Sequence, residues 1–314
     1  MQYYFAPLEG VTGYIYRNAH KKYFDGADKY FTPFISPNSI RNFTTKELND
    51  ILPENNLGIE IVPQILSSKS EEFIQTAEAL YEYGYGEINL NLGCPSGTVV
   101  SKGKGSGFLA YPEQLDRFLD DIFNPSKMKI SIKTRLGVND PEEFYELVKI
   151  FNKYPIEELT IHPRVQKDFY KNTPNLAVFK AALPTLKAQI CYNGDLFNKT
   201  DYEKFTADFP EVDRIMLGRG LITNPNLIGE IKGGGPLDKS LLRNFHDEIY
   251  ENYQKVMSGD HNVLFKMKEI WLYMIQLFPN EKKYAKAIKK SDKLKEYEKV
   301  IQSLFDELNW IDHL

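Results

Sequence analysis

The sequence predicts an α/β protein: a (β/α)8 TIM barrel followed by an all-helical C-terminal domain. Three observations predict it. Short apolar runs alternate with helix-period segments through the first two thirds of the chain, and eight such pairs in roughly 230 residues suit that barrel. The third to eighth apolar runs each end on polar or charged residues, although barrel strands are ordinarily apolar. Beyond the breaker Gly-Gly-Gly-Pro at 233–236 the strand signal stops and helical periodicity takes over.

The elements follow in order. Strands are expected at 3–6, 29–35, 59–65, 88–92, 129–134, 158–162, 189–192 and 214–217. The helices between them are expected at 13–23, 44–51, 69–83, 112–123, 141–152, 176–182 and 201–209, with a short one after Pro225. In the third of these Phe73, Ala77 and Leu80 share a face, and Asp140 is placed to cap the fifth. Helical stretches, including 241–256, 263–277 and 284–308, then make a separate domain of about four helices, so the expected division is 1–235 and 236–314. A doubly wound open sheet is the alternative. It calls for a Gly-rich turn directly after the first strand, and Ala6-Pro7-Leu8-Glu9-Gly10 is not one.

Composition narrows the class. The 314 residues are 42% hydrophobic and 26% charged with a net charge of −4, so any basic surface must be local. The cysteines, Cys94 and Cys191, do not make a disulfide framework, which points to a reducing cytoplasm. The N-terminus lacks a basic and apolar leader, and no apolar run has the length of a membrane span.

One stretch organises the rest: EINLNLGCPSGTVVSKGKGSGFL at 87–109. A strand carrying Asn89 and Asn91 breaks at Gly93-Cys94-Pro95, and a Gly/Ser/Lys loop with Lys102 and Lys104 follows. A thiol on that constrained turn is placed to exchange a proton, and the loop to close over a ligand. The other strand ends add Gln64; Lys133 and Arg135; His162 and Arg164; Asn193, Gly194 and Asp195; and Gly218 and Arg219. The last two sets suit an anion, since glycines admit backbone N–H groups and Arg219 brings a forked cation. Cys191, mid-strand, reads as core.

These residues carry a resemblance. APLEGVTGYIYR at 6–17, PQI at 63–65, INLNLGCP at 88–95 with KGKGSGFL after it, SIKTRLG at 131–137, TIHPR at 160–164, YNGDL at 192–196 and IMLGRGLITNP at 215–225 resemble the flavin-dependent tRNA-dihydrouridine synthases across the whole barrel. The resemblance implies reduction of the uracil C5=C6 bond of specific uridines in tRNA, with FMN as cofactor, NADPH as electron donor and Cys94 as general acid. It implies that Pro7, Leu8, Glu9, Gln64, Lys133, His162, Asn193, Gly194, Asp195, Gly218 and Arg219 hold FMN, and that Asn91, Arg135 and Arg164 face the uracil. It also implies a helical tRNA-binding domain, no metal, no membrane and a monomer. Three positions depart from the family pattern: Leu8 for Met, Asn89 for Asp, and Pro163 for Gly, the last removing an N–H and fixing φ.

Within the tail, residues 282–299 hold eight lysines against Asp292, Glu296 and Glu298. Lys282, Lys286, Lys289 and Lys293 fall on one helical face, the footprint expected for a phosphate backbone. Two other functions are weighed. A flavin barrel acting on a free pyrimidine, of the dihydroorotate dehydrogenase type, has no need of that basic helix. A non-redox RNA-binding barrel has no need of Cys94, Lys133, His162 and Arg219 together.

Overall fold

The computed structural model describes residues 1–37, 43–279 and 281–307. Its strands are β1 (Gln2–Phe5), β2 (Lys29–Phe31), β3 (Ile61–Val62), β4 (Gln64–Ile65), β5 (Glu87–Leu92), β6 (Lys129–Gly137), β7 (Glu158–Val165), β8 (Gln189–Tyr192) and β9 (Arg214–Leu217). They form one parallel sheet in the order β3-β2-β1-β9-β8-β7-β6-β5-β4. Only Pro63 separates β3 from β4 in the chain, so the two ends of the sheet are one segment and the sheet closes into a barrel. Pro63 has no N–H for the ladder, but its carbonyl accepts from Asn89 N at 2.9 Å. Thr32 Oγ1 then accepts from Gln64 N at 3.0 Å, and Ile35 bridges to Ile65.

The helices are α1 (Tyr14–Phe24), α2 (Thr45–Ile51), α3 (Ser70–Glu82), α4 (Gly97–Val100), α5 (Pro112–Phe123), α6 (Glu143–Phe151), α7 (Leu176–Ala182), α8 (Lys199–Asp208), α9 (Arg219–Thr223), α10 (Leu227–Ile231), α11 (Lys239–Val256), α12 (Asp260–Met274), α13 (Glu281–Lys290) and α14 (Leu294–Glu307). Among the described residues no helix is long and apolar enough to cross a membrane.

The chain forms two compact units. The first is Met1–Pro7, Asp28–Asp195 and Thr206–Met216; the second is Leu8–Ala27, Leu196–Phe205 and Leu217–Leu314. The first holds the barrel. There α5 buries Leu115, Phe118, Leu119 and Ile122, and each such side chain contributes about 1.5–3 kcal/mol. Phe118 meets Phe73 of α3 edge-on at 5.9 Å and Phe108 at 5.3 Å. Phe108, at the far end of the segment after Cys94, is thereby packed against α5.

The second unit joins α1 to the tail helices, which is why its limits differ from a division at residue 235. Phe245 of α11 receives Tyr16 at 5.3 Å and Phe24 at 5.2 Å, both edge-on. His246, buried, then links three helices. Its Nδ1 lies 2.8 Å from Asp247 Oδ1 and its Nε2 2.6 Å from Tyr297 Oη, which also accepts from Trp271 Nε1 at 2.7 Å. A carboxylate only accepts, so Nδ1 carries the proton; burial, the larger effect, keeps the ring below its ordinary pKa. Tyr297 therefore donates to Nε2.

The helical stretch expected over 284–308 is two helices, so the described tail has the four or so helices its periodicity suggests. Ser291 turns back, its Oγ donating to Ala287 O at 3.0 Å, and α14 restarts at Leu294, whose N–H donates to Asp260 Oδ2 at 3.3 Å. Residues 308–314, with the expected end of that helix, lie outside the described residues.

Replacing Tyr297 by Phe leaves the His246 and Trp271 nitrogens buried without their shared partner. Urea unfolding of this variant should show a loss of about 1–3 kcal/mol.

Candidate active site

The site begins at the end of β5. Asn91 Oδ1 accepts from the backbone N–H groups of Gly93 at 3.0 Å and Cys94 at 2.9 Å. Backbone N–H groups only donate, so the orientation of this amide is forced, and it forces the next. Asn91 Nδ2 donates to Gln64 Oε1 at 2.7 Å, Gln64 Nε2 to Asn89 Oδ1 at 2.7 Å, and Asn89 Nδ2 to Ser131 Oγ at 3.0 Å. Ser131 Oγ ends the chain on Ile88 O at 3.3 Å. The Asp of the family pattern at position 89 lacks the N–H that reaches Ser131, so Asn89 is matched to this network.

The carbonyl of Cys94 is held from the other side. Ser106 donates to it twice, from N at 3.0 Å and from Oγ at 2.9 Å. Gly105 brings Ser106 there at φ +57°, and a Cβ on it would lie 2.7 Å from Cys94 O, so no other residue fits. Cys94 itself is partly exposed. Lys104 is committed elsewhere, pairing with Glu72 at 3.7 Å.

Lys133 lies on β6, in register with Asn91 and Thr160. Among the described residues its ammonium has no hydrogen bond or ion pair. Burial, with the charge of Arg135 adding to it, brings its pKa down to about 7; Cys191 and Cys94 act weakly the other way.

The neighbouring arginines are occupied. Arg135 donates to three carbonyls: Gly93 O at 2.9 Å, Val165 O at 2.9 Å and Phe169 O at 2.8 Å. Arg164 grips Asp195 with two nitrogens, at 2.9 and 2.5 Å, and donates from Nε to Asn172 O at 2.6 Å. Both are about 1% exposed, and these contacts tie them to the walls of the site. Arg164 also lies 2.9 Å from His162 Nε2. A guanidinium only donates, so that nitrogen accepts and His162 carries its proton on Nδ1. Asp195 is thus an ion-pair partner, and Asn193 Nδ2 donates to Met216 O at 2.7 Å. Pro163 remains inside β7, its carbonyl accepting from Asn175 N at 2.6 Å.

Tyr170 and Ser106 were not singled out by the sequence. Tyr170 is half exposed, 5.6 Å from the Arg135 guanidinium and 6.1 Å from the His162 ring. An exposed aromatic one turn beyond a strand end is its only sequence signal.

Pro7 follows β1 in the first unit. In the second unit Leu8 N donates to Thr12 Oγ1 at 2.8 Å, with Glu9 next in the same turn. Gly218 precedes α9, and the Arg219 guanidinium lies 5.3 Å from the Phe197 ring centre. On α13 Lys282, Lys286 and Lys289 are exposed opposite the buried Tyr284 and Ile288. Lys293 is exposed but lies in the break before α14, so it leaves the helical face expected for it. No His, Cys, Asp or Glu group among the described residues is arranged to hold a metal ion.

The sequence matches the dihydrouridine synthase (Dus) family over residues 4–310. The chain belongs to that family. It is 30% identical to a tRNA-dihydrouridine synthase B of Pasteurella multocida, over 71% of this chain and 66% of that relative. It is 29% identical to a probable tRNA-dihydrouridine synthase of Staphylococcus epidermidis, over 80% of this chain and 78% of the relative. Solved structures share the fold at low identity. Morphinone reductase aligns with TM-score 0.53 at 13% identity, over 76% of this chain and 87% of that one. The old yellow enzyme homologue of Zymomonas mobilis aligns with TM-score 0.54 at 12%, over 78% and 92%.

The family makes the protein an oxidoreductase and brings with it a flavin and a nicotinamide-type reductant. The residues present fit a flavin: a half-buried lysine without an ion-pair partner, at the end of a barrel strand, suits an electron-rich, anion-forming group beside it.

Lys133 also gives a pH signature. Between about pH 7 and 10.5 the unfolded chain holds a proton on this side chain that the folded protein lacks, so its contribution to stability rises with pH across that window. In the flavin-free protein, Lys133→Met should be the more stable form at pH 7, and its thermal midpoint should lack the wild-type rise from pH 7 to 9.

Proposed function

We propose that this chain reduces the C5=C6 bond of uridines in tRNA to dihydrouridine, with FMN as the flavin and NADPH as its reductant. The observation that carries the reading is the placement of Cys94. Its backbone is fixed by Asn91 and Ser106, at the end of the strand next to the one that carries Lys133.

The roles are assigned from the family resemblance and supported by the contacts described above. Lys133 would help hold the flavin, where its positive charge would favour the reduced, anionic form. His162, Asn193 and the unused amide hydrogen of Gln64 are assigned to the same ligand. By the family resemblance Pro7, Leu8, Glu9, Gly194, Gly218 and Arg219 would also contribute to holding it. Asp195 serves by fixing Arg164, which in turn accounts for one nitrogen of His162. A flavin held there would supply the hydride for C6 of the uracil.

Cys94 holds a proton at Sγ and delivers it to C5. The fixed backbone sets the thiol's position before substrate arrives, which is the condition for efficient proton transfer. The second hydrogen of Asn91 Nδ2 is assigned to a uracil carbonyl, where charge develops. Arg135 and Arg164 contribute by holding carbonyls and a carboxylate in place. The target base must leave its stack to reach a barrel mouth, so the rest of the tRNA needs a second hold. Lys282, Lys286 and Lys289 on α13 supply phosphate contacts, with Lys293 beyond the helix end. The protein acts as a monomer in the cytoplasm, whose reducing conditions keep both thiols free.

The test is anaerobic. The protein is saturated with FMN, reduced with NADPH, freed of excess donor and mixed with an unmodified tRNA transcript while flavin absorbance is followed. Rapid reoxidation by tRNA, but not by orotate or free uridine, is expected. Reoxidation by orotate alone would move the protein to free pyrimidines, and failure to bind FMN would leave an RNA-binding barrel.

A further inference from the structure

The turn after β7 carries a residue that its backbone does not want. Lys171 N donates to Asp168 O at 2.9 Å, closing a four-residue turn. Its first central residue, Phe169, has φ 51° and ψ −99°, close to the type II′ values that glycine normally supplies. It is the sole non-glycine residue in the left-handed φ range among the described residues. The strain is imposed from several sides. Arg135 donates to Phe169 O, Arg164 donates to Asn172 O, and the Asp168 carboxylate accepts from Val165 N and Asn172 Nδ2.

Burial of the ring does not repay that strain, because Phe169 is 45% exposed. A bulky aromatic kept in a strained and exposed position suggests a ligand. The surroundings say which kind. Lys167 and Lys171, both exposed, flank Phe169 and Tyr170, and among the described residues neither lysine has an ion-pair partner. The one acidic side chain of the turn, Asp168, is spent on its internal bonds. The turn therefore presents aromatic faces between two free cations, the combination that binds unstacked bases and their phosphates. Arg135 ties it to the active centre, since the guanidinium that holds Phe169 O also holds Gly93 O next to Cys94.

We infer that this turn is a nucleotide subsite of its own, with Phe169 stacking on the base adjacent to the target uridine and Lys167 and Lys171 holding the neighbouring phosphates. The inference rests on the uridine-reduction reading and extends it to a second nucleotide.

The test compares Phe169→Gly, Phe169→Leu and Phe169→Trp as full-length, FMN-loaded protein. Phe169→Gly should raise the thermal midpoint, because glycine suits the turn, while raising KM for tRNA roughly tenfold. The rate of flavin reduction by NADPH should not change. Phe169→Trp should keep the wild-type KM, and Phe169→Leu should lose it as glycine does. An unchanged KM in Phe169→Gly would overturn the inference, as would a lowered thermal midpoint accompanied by loss of flavin, which would mark the ring as packing. If tRNA does not reoxidise the wild-type protein, the uridine-reduction reading falls and takes the subsite with it. If tRNA reoxidises wild type and Phe169→Gly with the same KM, only the subsite falls.

Discussion

The arrangement depends on one oxygen. Asn91 Oδ1 accepts two backbone hydrogens at the turn that ends β5, and that contact fixes both the thiol-bearing residue and the amides beneath it. Because the donors cannot act as acceptors, each side chain from Asn91 through Gln64 and Asn89 to Ser131 has one permitted orientation. A buried amide network with a single satisfied arrangement is rigid, whereas one with two would be soft. Cys94 is consequently set by the barrel interior and not by the ligand it meets.

The barrel interior is unusually polar for a packed core, and its charges are treated in two ways. Arg135 and Arg164 are satisfied by carbonyls and by Asp195. At the opposite end Tyr4 donates to Glu158 at 2.8 Å and Lys29 pairs with Glu87 at 2.7 Å; burial there pushes Glu158 up to about 7. Lys133 alone among these cations is left without a partner. Stability argues against such an ammonium, and a cofactor with developing negative charge argues for it. The satisfied charges hold the scaffold together, and the unsatisfied one is proposed to sit beside the cofactor.

Much of this was legible in the sequence. The eight strand positions follow from apolar runs, and the clustering of polar residues at their ends follows from the parallel barrel, which points every C-terminus the same way. What a side chain does after it arrives there was not legible. Arg135 and Arg164 are long enough to reach either a substrate or a neighbouring wall, and only the positions of Gly93 O, Val165 O and Asp195 decide between them. The break at Ser291 was hidden because helical periodicity continues through it, while the stop comes from a serine bonding back to Ala287 and a restart at Leu294. Phe169 was hidden for the opposite reason, since sequence rules reserve that turn position for glycine.

The central claim is that a fixed Cys94 thiol protonates C5. It is tested most directly by single-turnover reoxidation of the NADPH-reduced, FMN-loaded Cys94→Ala protein with unmodified tRNA. The account predicts a rate about a hundredfold or more below wild type, with the rate of reduction by NADPH unchanged. A wild-type rate of reoxidation in Cys94→Ala would contradict it.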